Sequence, residues 1–205
     1  MLKTVKISFA LLLAVIGSTF ANEETSGQNQ YNILALDLMY PIGTNALFSH
    51  PVNVINIGST FSKTYAVYGI SVTGGFSMMT NMYGLHVSGL ANKTDGTLAG
   101  ISVTGLTQRV KGNANGIIIS GIETYVDGNG AGLMVTPIFQ NVSGTMSGIM
   151  ISPICNKTGY MRGIQIGLIN ISNYLSGMQI GLINIVTKGR GLRFFPIINV
   201  GNDRY

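Results

Sequence analysis

The feature that most constrains the fold is a short sequence unit that recurs along most of the chain. The unit is a glycine, an apolar residue, any residue, a second apolar residue, two further residues and a third apolar residue. A unit repeated at a fixed period buries its apolar side by stacking on its neighbours, so the period predicts a repeat architecture. Eight copies follow one another at intervals of 14 to 16 residues, starting at Gly69, Gly84, Gly100, Gly116, Gly132, Gly148, Gly163 and Gly177.

Two less regular copies flank this series. The segment PVNVINI, which starts at Pro51, is a degenerate copy, and GLRFFPIIN, which starts at Gly191, is a further copy with a one-residue slip. The segment YNILALDLMY that precedes them alternates as a strand does, and we expect it to cover the open first coil. We therefore assign residues 31–68 to an N-terminal β cap with the degenerate first repeat, and residues 69–205 to a repeat domain of about nine units.

Each unit begins as a β-strand, because its apolar residues alternate as one-sided burial requires. The alternation stops at the sixth position, where glycine or proline breaks the strand in six of the eight copies. A second short apolar stretch follows, and a polar turn such as residues 93–96 closes the unit. The breaking residues at the sixth position are Gly74, Gly89, Gly105, Gly121, Pro137 and Pro153.

Two all-β architectures fit this unit. In a repetitive β-solenoid with coils of 14–16 residues, each unit is one coil and equivalent positions stack in columns. In an antiparallel transmembrane β-barrel, each unit is one strand of about 9–11 residues and each polar turn is a hairpin. Pro137 and Pro153 would then lie in mid-strand and each remove a ladder hydrogen bond, whereas the corner of a solenoid accepts them. The sequence favours the solenoid, with the barrel as the alternative.

The solenoid interpretation assigns a direction to each column of side chains. We expect the aliphatic second and fourth columns to face a dry interior, so that Ile149, Ile151, Ile164 and Ile166 stack inside. The third column then faces water, and it contains His86 and Gln165.

The N-terminus has the pattern of a secretory signal peptide. Lys3 and Lys6 precede an apolar run over residues 7–16, and small residues then lead to an expected cleavage after Ala21. The alternative of a membrane anchor is disfavoured, because the run is shorter than the roughly 20 residues that span a bilayer. We assign residues 1–21 to the signal peptide and residues 22–30 to a polar tether. The chain is expected to be exported across the inner membrane, to the cell surface, the outer membrane or the medium.

Composition limits the classes of partner. Hydrophobic residues make up 46% of the chain and charged residues only 9%, which is the opposite of a disordered chain. Once Lys3 and Lys6 are removed, ten basic residues face seven acidic ones, and this net charge of +3 is scattered over the turns. Nucleic acid is not an expected partner, because its recognition needs clustered basic residues. Cys155 is the only cysteine, and its neighbours Ile151 and Ile154 suggest a buried thiol.

Residues that carry catalytic or metal chemistry are few and scattered. The mature chain holds His50, His86 and seven carboxylates, without a nucleophile elbow, a phosphate loop or a calcium repeat. We predict no catalytic, cofactor-binding or metal-binding residue. Asn170 and Asn184 occupy the eighth position of adjacent units, where stacked amides can bond to one another. We interpret these two residues as a structural ladder.

The last units carry a family resemblance. Residues 163–171 are GIQIGLINI and residues 177–185 are GMQIGLINI, and the chain closes with FFPIINV over residues 194–200. With the segment YPIGTN at residues 40–45, these motifs resemble the bacterial exported surface-repeat proteins built from GLQIGLIN-type repeats. The resemblance implies export, placement at the cell surface and no established catalytic activity. Some members carry a lipid anchor, for which this chain lacks the cysteine.

These observations predict an exported surface or secreted repeat protein that acts as a structural or interaction scaffold and is not an enzyme. Its partner, on the bacterial surface or a host, is unknown from the sequence, and its oligomeric state is open. Association with the outer membrane is a further expectation. The alternatives are an outer-membrane β-barrel that serves as a small pore or anchor, and a carbohydrate-active enzyme on a solenoid, which the sparse charges disfavour.

Overall fold

The computed structural model describes residues 30–47, 50–189 and 193–203 of the chain. The predicted signal peptide and nearly all of the predicted tether lie outside the described residues. β-Strands dominate this part of the chain, and its one helical element is a 3-10 turn at Thr44–Leu47.

Fifteen strands are described, and short corners connect most of them. The strands are β1 (Gln30–Met39), β2 (Ile42–Gly43), β3 (Pro51–Gly58), β4 (Phe61–Thr73), β5 (Phe76–Ser88), β6 (Ala91–Thr94), β7 (Leu98–Thr104), β8 (Thr107–Val110), β9 (Ala114–Ser120), β10 (Glu123–Val126), β11 (Gly130–Val135), β12 (Phe139–Ile151), β13 (Cys155–Ile166), β14 (Ile169–Val186) and β15 (Phe194–Asn202).

The β-solenoid predicted from the repeat is confirmed. Every pairing among β3 to β14 is parallel, and each joins equivalent positions of successive coils. Gly116 pairs with Gly100 on one side and with Gly132 on the other. An antiparallel barrel would instead join successive repeats by hairpins, so these parallel pairings rule against that alternative.

The coil has two sheets separated by a corner. The front sheet holds positions one to five of each unit, in β7, β9, β11 and parts of the longer strands. The back sheet holds the second apolar stretch, in β6, β8, β10 and the remaining parts of those longer strands. The register shifts between Val142 and Thr145, where a 16-residue coil pairs with a 15-residue one. The polar turn therefore absorbs this difference in repeat length, and the sheets keep their columns.

The two ends of the stack differ from its middle. Strand β1, which the sequence predicts, pairs in parallel with β3 and extends the stack by one layer, and the short β2 runs antiparallel to β1. Strand β3 adds a parallel layer next to β4, but Ile55 pairs with Ile70 and Ile57 with Val72, so this coil is in register three residues later than the copy predicted at Pro51. Strand β15 runs antiparallel to β14, with Val200 opposite Met178, whereas the repeat pattern predicts another parallel coil there. Gly191, the first residue of that predicted copy, lies outside the described residues.

The columns of the front sheet point in the opposite direction to the prediction. The second and fourth columns face outward: Ile166 is 37% exposed, and Ile151 and Ile164 are half-buried. The third column faces inward, and both His86 and Gln165 are fully buried. Alternation along a strand defines two faces but does not say which one is inside.

The reason for this orientation lies at the corner. The fifth position adjoins the corner and holds only serine, threonine or glycine in the eight copies. These small side chains reach across to the back sheet, as in the 2.7 Å hydrogen bond between the hydroxyls of Ser120 and Thr124. The third position has the same parity as the fifth, so it also faces inward.

The interior has an apolar part and a polar part. The apolar part is a continuous cluster of valine, methionine, leucine, isoleucine and alanine side chains that includes Val126, Met134 and Met146. The polar part consists of hydroxyls and amides that bond across the two sheets. The hydroxyls of Ser102 and Thr104 both donate to the side-chain oxygen of Gln108, each at 3.0 Å.

The first position of each coil requires glycine for two reasons. Gly116 has φ +119°, a conformation that residues with a Cβ rarely adopt. A Cβ added there would also overlap the carbonyl oxygen of Gly100 in the preceding coil. The same overlap recurs at each glycine of the column from Gly84 onward, so it explains why the residue type repeats with the coil.

We expect Gly116→Ala to lower the free energy of unfolding by at least about 1–3 kcal/mol, because it imposes a strained φ and a clash with the neighbouring coil. The control is Asn115→Ala, one residue away on an exposed position, for which we expect a change within about 0.5 kcal/mol. Chemical denaturation followed by circular dichroism measures both. Equal stability of the two variants would contradict a structural need for glycine at this column.

A second pair of variants tests the orientation of the columns. Ile118 is fully buried, whereas its neighbour Ile117 is 38% exposed. We expect Ile118→Asp to cost more than about 3 kcal/mol, because it buries an unpaired charge. Ile117→Asp should cost about 1 kcal/mol, which is the range of β-propensity differences. Urea unfolding measures the free energy of unfolding of both variants. The reverse order of stability would show that the aliphatic columns face the interior.

Candidate interaction surface

The outward columns of the front sheet form one continuous apolar surface, which we call the aliphatic face. It consists of the residues at positions two and four of the eight coils, and every one of them is aliphatic or methionine. The aliphatic face comprises Ile70, Val72, Leu85, Val87, Ile101, Val103, Ile117, Ile119, Leu133, Val135, Ile149, Ile151, Ile164, Ile166, Met178 and Ile180.

The aliphatic face is large for a protein of this size. Ile101 is 44% exposed and Ile149 is 39% exposed. Packing against neighbours in the same column covers the rest of these side chains. Sixteen such side chains form a patch on the order of 1,000 Å², against about 300–600 Å² for the largest patch on a typical monomer. Patches above that size mark interaction sites in soluble proteins.

A further apolar column lies beside the aliphatic face at the corner. Position seven carries an exposed leucine or isoleucine in five successive coils, so the apolar surface continues around the edge of the front sheet. These residues are Leu90, Leu106, Ile122, Ile138 and Ile154.

The charges of the middle coils lie away from this face. Arg109 projects from the back sheet, where its guanidinium stands 5.2 Å from the ring centre of Tyr125. Lys111 makes a 2.7 Å ion pair with Asp95, and Lys93 approaches the same carboxylate at 3.6 Å. The hydrogen bond from Lys111 is the main cause that lowers the pKa of Asp95. The sixteen positions of the aliphatic face therefore carry no charge, and the charged side chains of the middle coils lie on the other sides of the coil.

The predicted asparagine ladder is confirmed. The Asn170 side-chain amide donates to the side-chain oxygen of Asn184 at 2.8 Å, and Asn156 donates to Asn170 at 2.9 Å. All three side chains are fully buried. Each bond joins one coil to the next, so the ladder satisfies buried amides and fixes the register of the C-terminal coils.

A buried polar cluster, which the sequence analysis does not predict, occupies the first coils. Asp37 is only 4% exposed, and its carboxylate accepts hydrogen bonds from Asn45 at 2.6 Å and Ser62 at 2.7 Å. Asn45 in turn donates to Asn56 at 2.8 Å and accepts from Asn53 at 2.8 Å. These donors satisfy the hydrogen-bonding capacity of the Asp37 carboxylate. Because Asn45 belongs to the 3-10 turn, the cluster also links that turn to the first coils.

The two histidines lie in different coils and different surroundings. His50 stacks edge-on against Tyr65, with ring centres 5.0 Å apart. His86, which the sequence places on the surface, is fully buried between Ser71 and Ser102 of the neighbouring coils. Neither ring nitrogen of His86 bonds to another residue in the described part of the chain. Burial lowers the pKa of His86 to about 4, so the ring is neutral at pH 7.

Cys155 lies at the start of β13 and is partly buried, so the expected buried thiol is only half right. Burial raises the pKa of the thiol, and the charge of Lys157 opposes this effect. A raised pKa keeps the sulfur protonated and weakly nucleophilic at neutral pH.

A cavity of about 350 Å³ opens on the side of the first coils. Tyrosine rings and a carboxamide dominate its wall, and no acid or base lines it. The lining residues are Tyr31, Val52, Tyr65, Ala66, Tyr68 and Asn81.

Among residues 30–47, 50–189 and 193–203, no group of three His, Cys, Asp or Glu side chains is placed to hold a metal ion. No helix in these same ranges has the length and apolar character to cross a membrane. No protein-family model, curated protein or solved structure matches the chain. The resemblance to GLQIGLIN-repeat proteins therefore stays a prediction.

His86 should make stability depend on pH. Its pKa is about 4 in the folded protein and 6.5 when unperturbed, so the unfolded chain takes up the proton first as pH falls. Stability is thus fully present above about pH 6.5 and declines towards pH 4, by up to about 3 kcal/mol. Denaturation at several pH values measures this loss.

The matched control is His86→Gln, which keeps a polar side chain in the column without a titrating ring. Gln165 and Gln179 already occupy this column in later coils. The two proteins differ only at residue 86, so the difference between the two pH profiles isolates His86. Parallel profiles between pH 7 and pH 4 would show that the ring is not buried as described.

Proposed function

We propose that this protein is an exported repeat scaffold that acts by contact, with the aliphatic face as its contact surface. The observation that carries the proposal is the outward orientation of columns two and four. In a chain that buried these columns, the isoleucines would serve only as a core. Here they cover the outside of the front sheet, where their remaining apolar area is free to be buried by another surface.

The uniformity of the face supports a contact role. In all eight coils, positions two and four hold an aliphatic residue or methionine, and none of these sixteen side chains is charged or carries a hydrogen-bond donor. A catalytic site needs a few different groups that converge on one point. A flat, chemically uniform surface suits broad apolar contact instead.

The polarity of the remaining surface supports the same proposal. The back sheet carries Lys93, Arg109 and Lys157 at outward positions, and the polar turns close the coils on the third side. Such surfaces keep a protein in solution while one face remains available for contact. Export follows from the predicted signal peptide, and placement at the cell surface follows from the family resemblance.

The test compares four forms of the full chain produced in a bacterium. The first is the natural chain. The second carries Leu12→Arg in the predicted signal peptide, and the third carries Ile101→Lys, Ile117→Lys and Ile149→Lys on the aliphatic face. The fourth, a control with the same added charge, carries Asn115→Lys, Ser143→Lys and Ser147→Lys on exposed positions outside the face.

We expect the Leu12→Arg chain to stay in the cytoplasm, because its apolar run is interrupted, and the other three to be exported. Among the exported proteins, diluted until each is monomeric, fluorescence of the hydrophobic dye ANS should fall at least about three-fold in the face variant and stay unchanged in the control. Normal export of Leu12→Arg would refute the signal peptide. Undiminished dye binding by the face variant would refute the aliphatic face as the contact surface.

A further inference from the structure

We infer that the partner of the aliphatic face is a second copy of this chain, and that two solenoids pack front sheet against front sheet about a two-fold axis. This inference rests on the proposed function, because it names the occupant of the same surface.

The area of the face suits a dimer. Two faces on the order of 1,000 Å² each would bury about 2,000 Å² in total, and stable specific interfaces bury about 1,200–2,000 Å². Interfaces of homodimers are also more apolar than other protein interfaces. The aliphatic face therefore provides the area and the chemistry of such an interface without any contribution from the rest of the surface.

The shape of the face suits its own copy better than an unrelated surface. Parallel coils lie about 4.8 Å apart, and residues at positions two and four of one strand lie about 7 Å apart. The side chains therefore form ridges with one regular spacing along the whole stack. A second copy has ridges of the same spacing, so they interdigitate at every coil, as in two aligned sheets that pack about 10 Å apart.

The distribution of charge disfavours a lipid surface as the occupant. Proteins that lie on membranes place lysine or arginine and aromatic side chains around the inserted apolar residues. The sixteen positions contain no aromatic or charged residue, and beside them, at the position before the glycine column, only Tyr68, Tyr83 and Arg162 are aromatic or basic. Lys93, Arg109 and Lys157 project from the opposite sheet. A dimer needs no charge at this interface, because each uncharged face meets an identical one.

The C-terminal end of the stack is less suited to regular association. Strand β15 runs antiparallel to its neighbour, its register shifts between Gly181 and Asn184, and Ile197 has φ +74°. An irregular edge strand of this kind does not present a template for another parallel coil. Self-association is therefore not expected through this end.

The experiment measures the mass of the exported protein by analytical ultracentrifugation over a range of concentrations. We expect twice the monomer mass for the natural protein and for the control with Asn115→Lys, Ser143→Lys and Ser147→Lys. The face variant with Ile101→Lys, Ile117→Lys and Ile149→Lys should sediment as a monomer, with its dimer Kd raised at least 100-fold. Circular dichroism confirms that all three keep their β-structure.

A conservative variant separates a loss of contact from a loss of folding. Ile117→Leu keeps the apolar surface and should stay dimeric. In a Cys155→Ser background, Ile117→Cys lies near the centre of the face, close to the two-fold axis whether the solenoids run parallel or antiparallel. We expect it to form an intermolecular disulfide on mild oxidation, at least ten-fold faster than Asn115→Cys.

Three outcomes would overturn the inference, and each leaves a different conclusion. A natural protein that is a monomer but whose ANS binding depends on the face would keep the scaffold and exclude the dimer. A monomer that binds phosphatidylcholine–phosphatidylglycerol vesicles through the face would assign that surface to lipid. A dimer that survives in the face variant would place the contact elsewhere and would count against the proposed function as well.

Discussion

In this solenoid each residue lies on the equivalent residue of the coil before it, and the rest of the structure depends on that parallel register. A column is stable only if its residue type tolerates a copy of itself at the distance between neighbouring strands. Glycine does so at position one, where a Cβ on Gly116 would overlap the carbonyl of Gly100. Asparagine does so in the ladder from Asn156 to Asn184, because its amide both donates and accepts.

The same rule explains how much of the fold the sequence could predict. The spacing of the glycines determines the coil length, and Pro137 and Pro153 at position six exclude a continuous strand there. Self-pairing of stacked amides predicts the bond between Asn170 and Asn184 without further information. These three inferences depend only on which residues are equivalent between coils, and a repeat displays that equivalence directly. The chain ends break the equivalence, and the antiparallel pairing of β15 is accordingly outside what the repeat could predict.

The direction in which each column points depends on which side chains fill the interior. Apolarity alone led to the wrong assignment of columns two and four, which form the aliphatic face. The absence of charge could not have decided the direction, because columns two, three and four all lack charged residues in the eight coils. The better signal was the fifth column, which holds only serine, threonine or glycine, because only a confined position restricts size so consistently.

Aliphatic side chains on the outside of a coil have two roles, and the first needs no partner. Ile101, Ile117 and Leu133 follow one another along the second column, so each covers part of the next and removes it from water. This contact favours the stacking of coils and accounts for β-branched residues in a sheet. It leaves the outward tips exposed, however, with Ile101 at 44% and Ile117 at 38%. Threonine at these positions would also stack, and its exposed hydroxyl would be better solvated than a methyl group. Contact between coils therefore explains why these residues are β-branched, but it does not explain why they lack a polar group. The second role, contact with another apolar surface, supplies the reason for that absence.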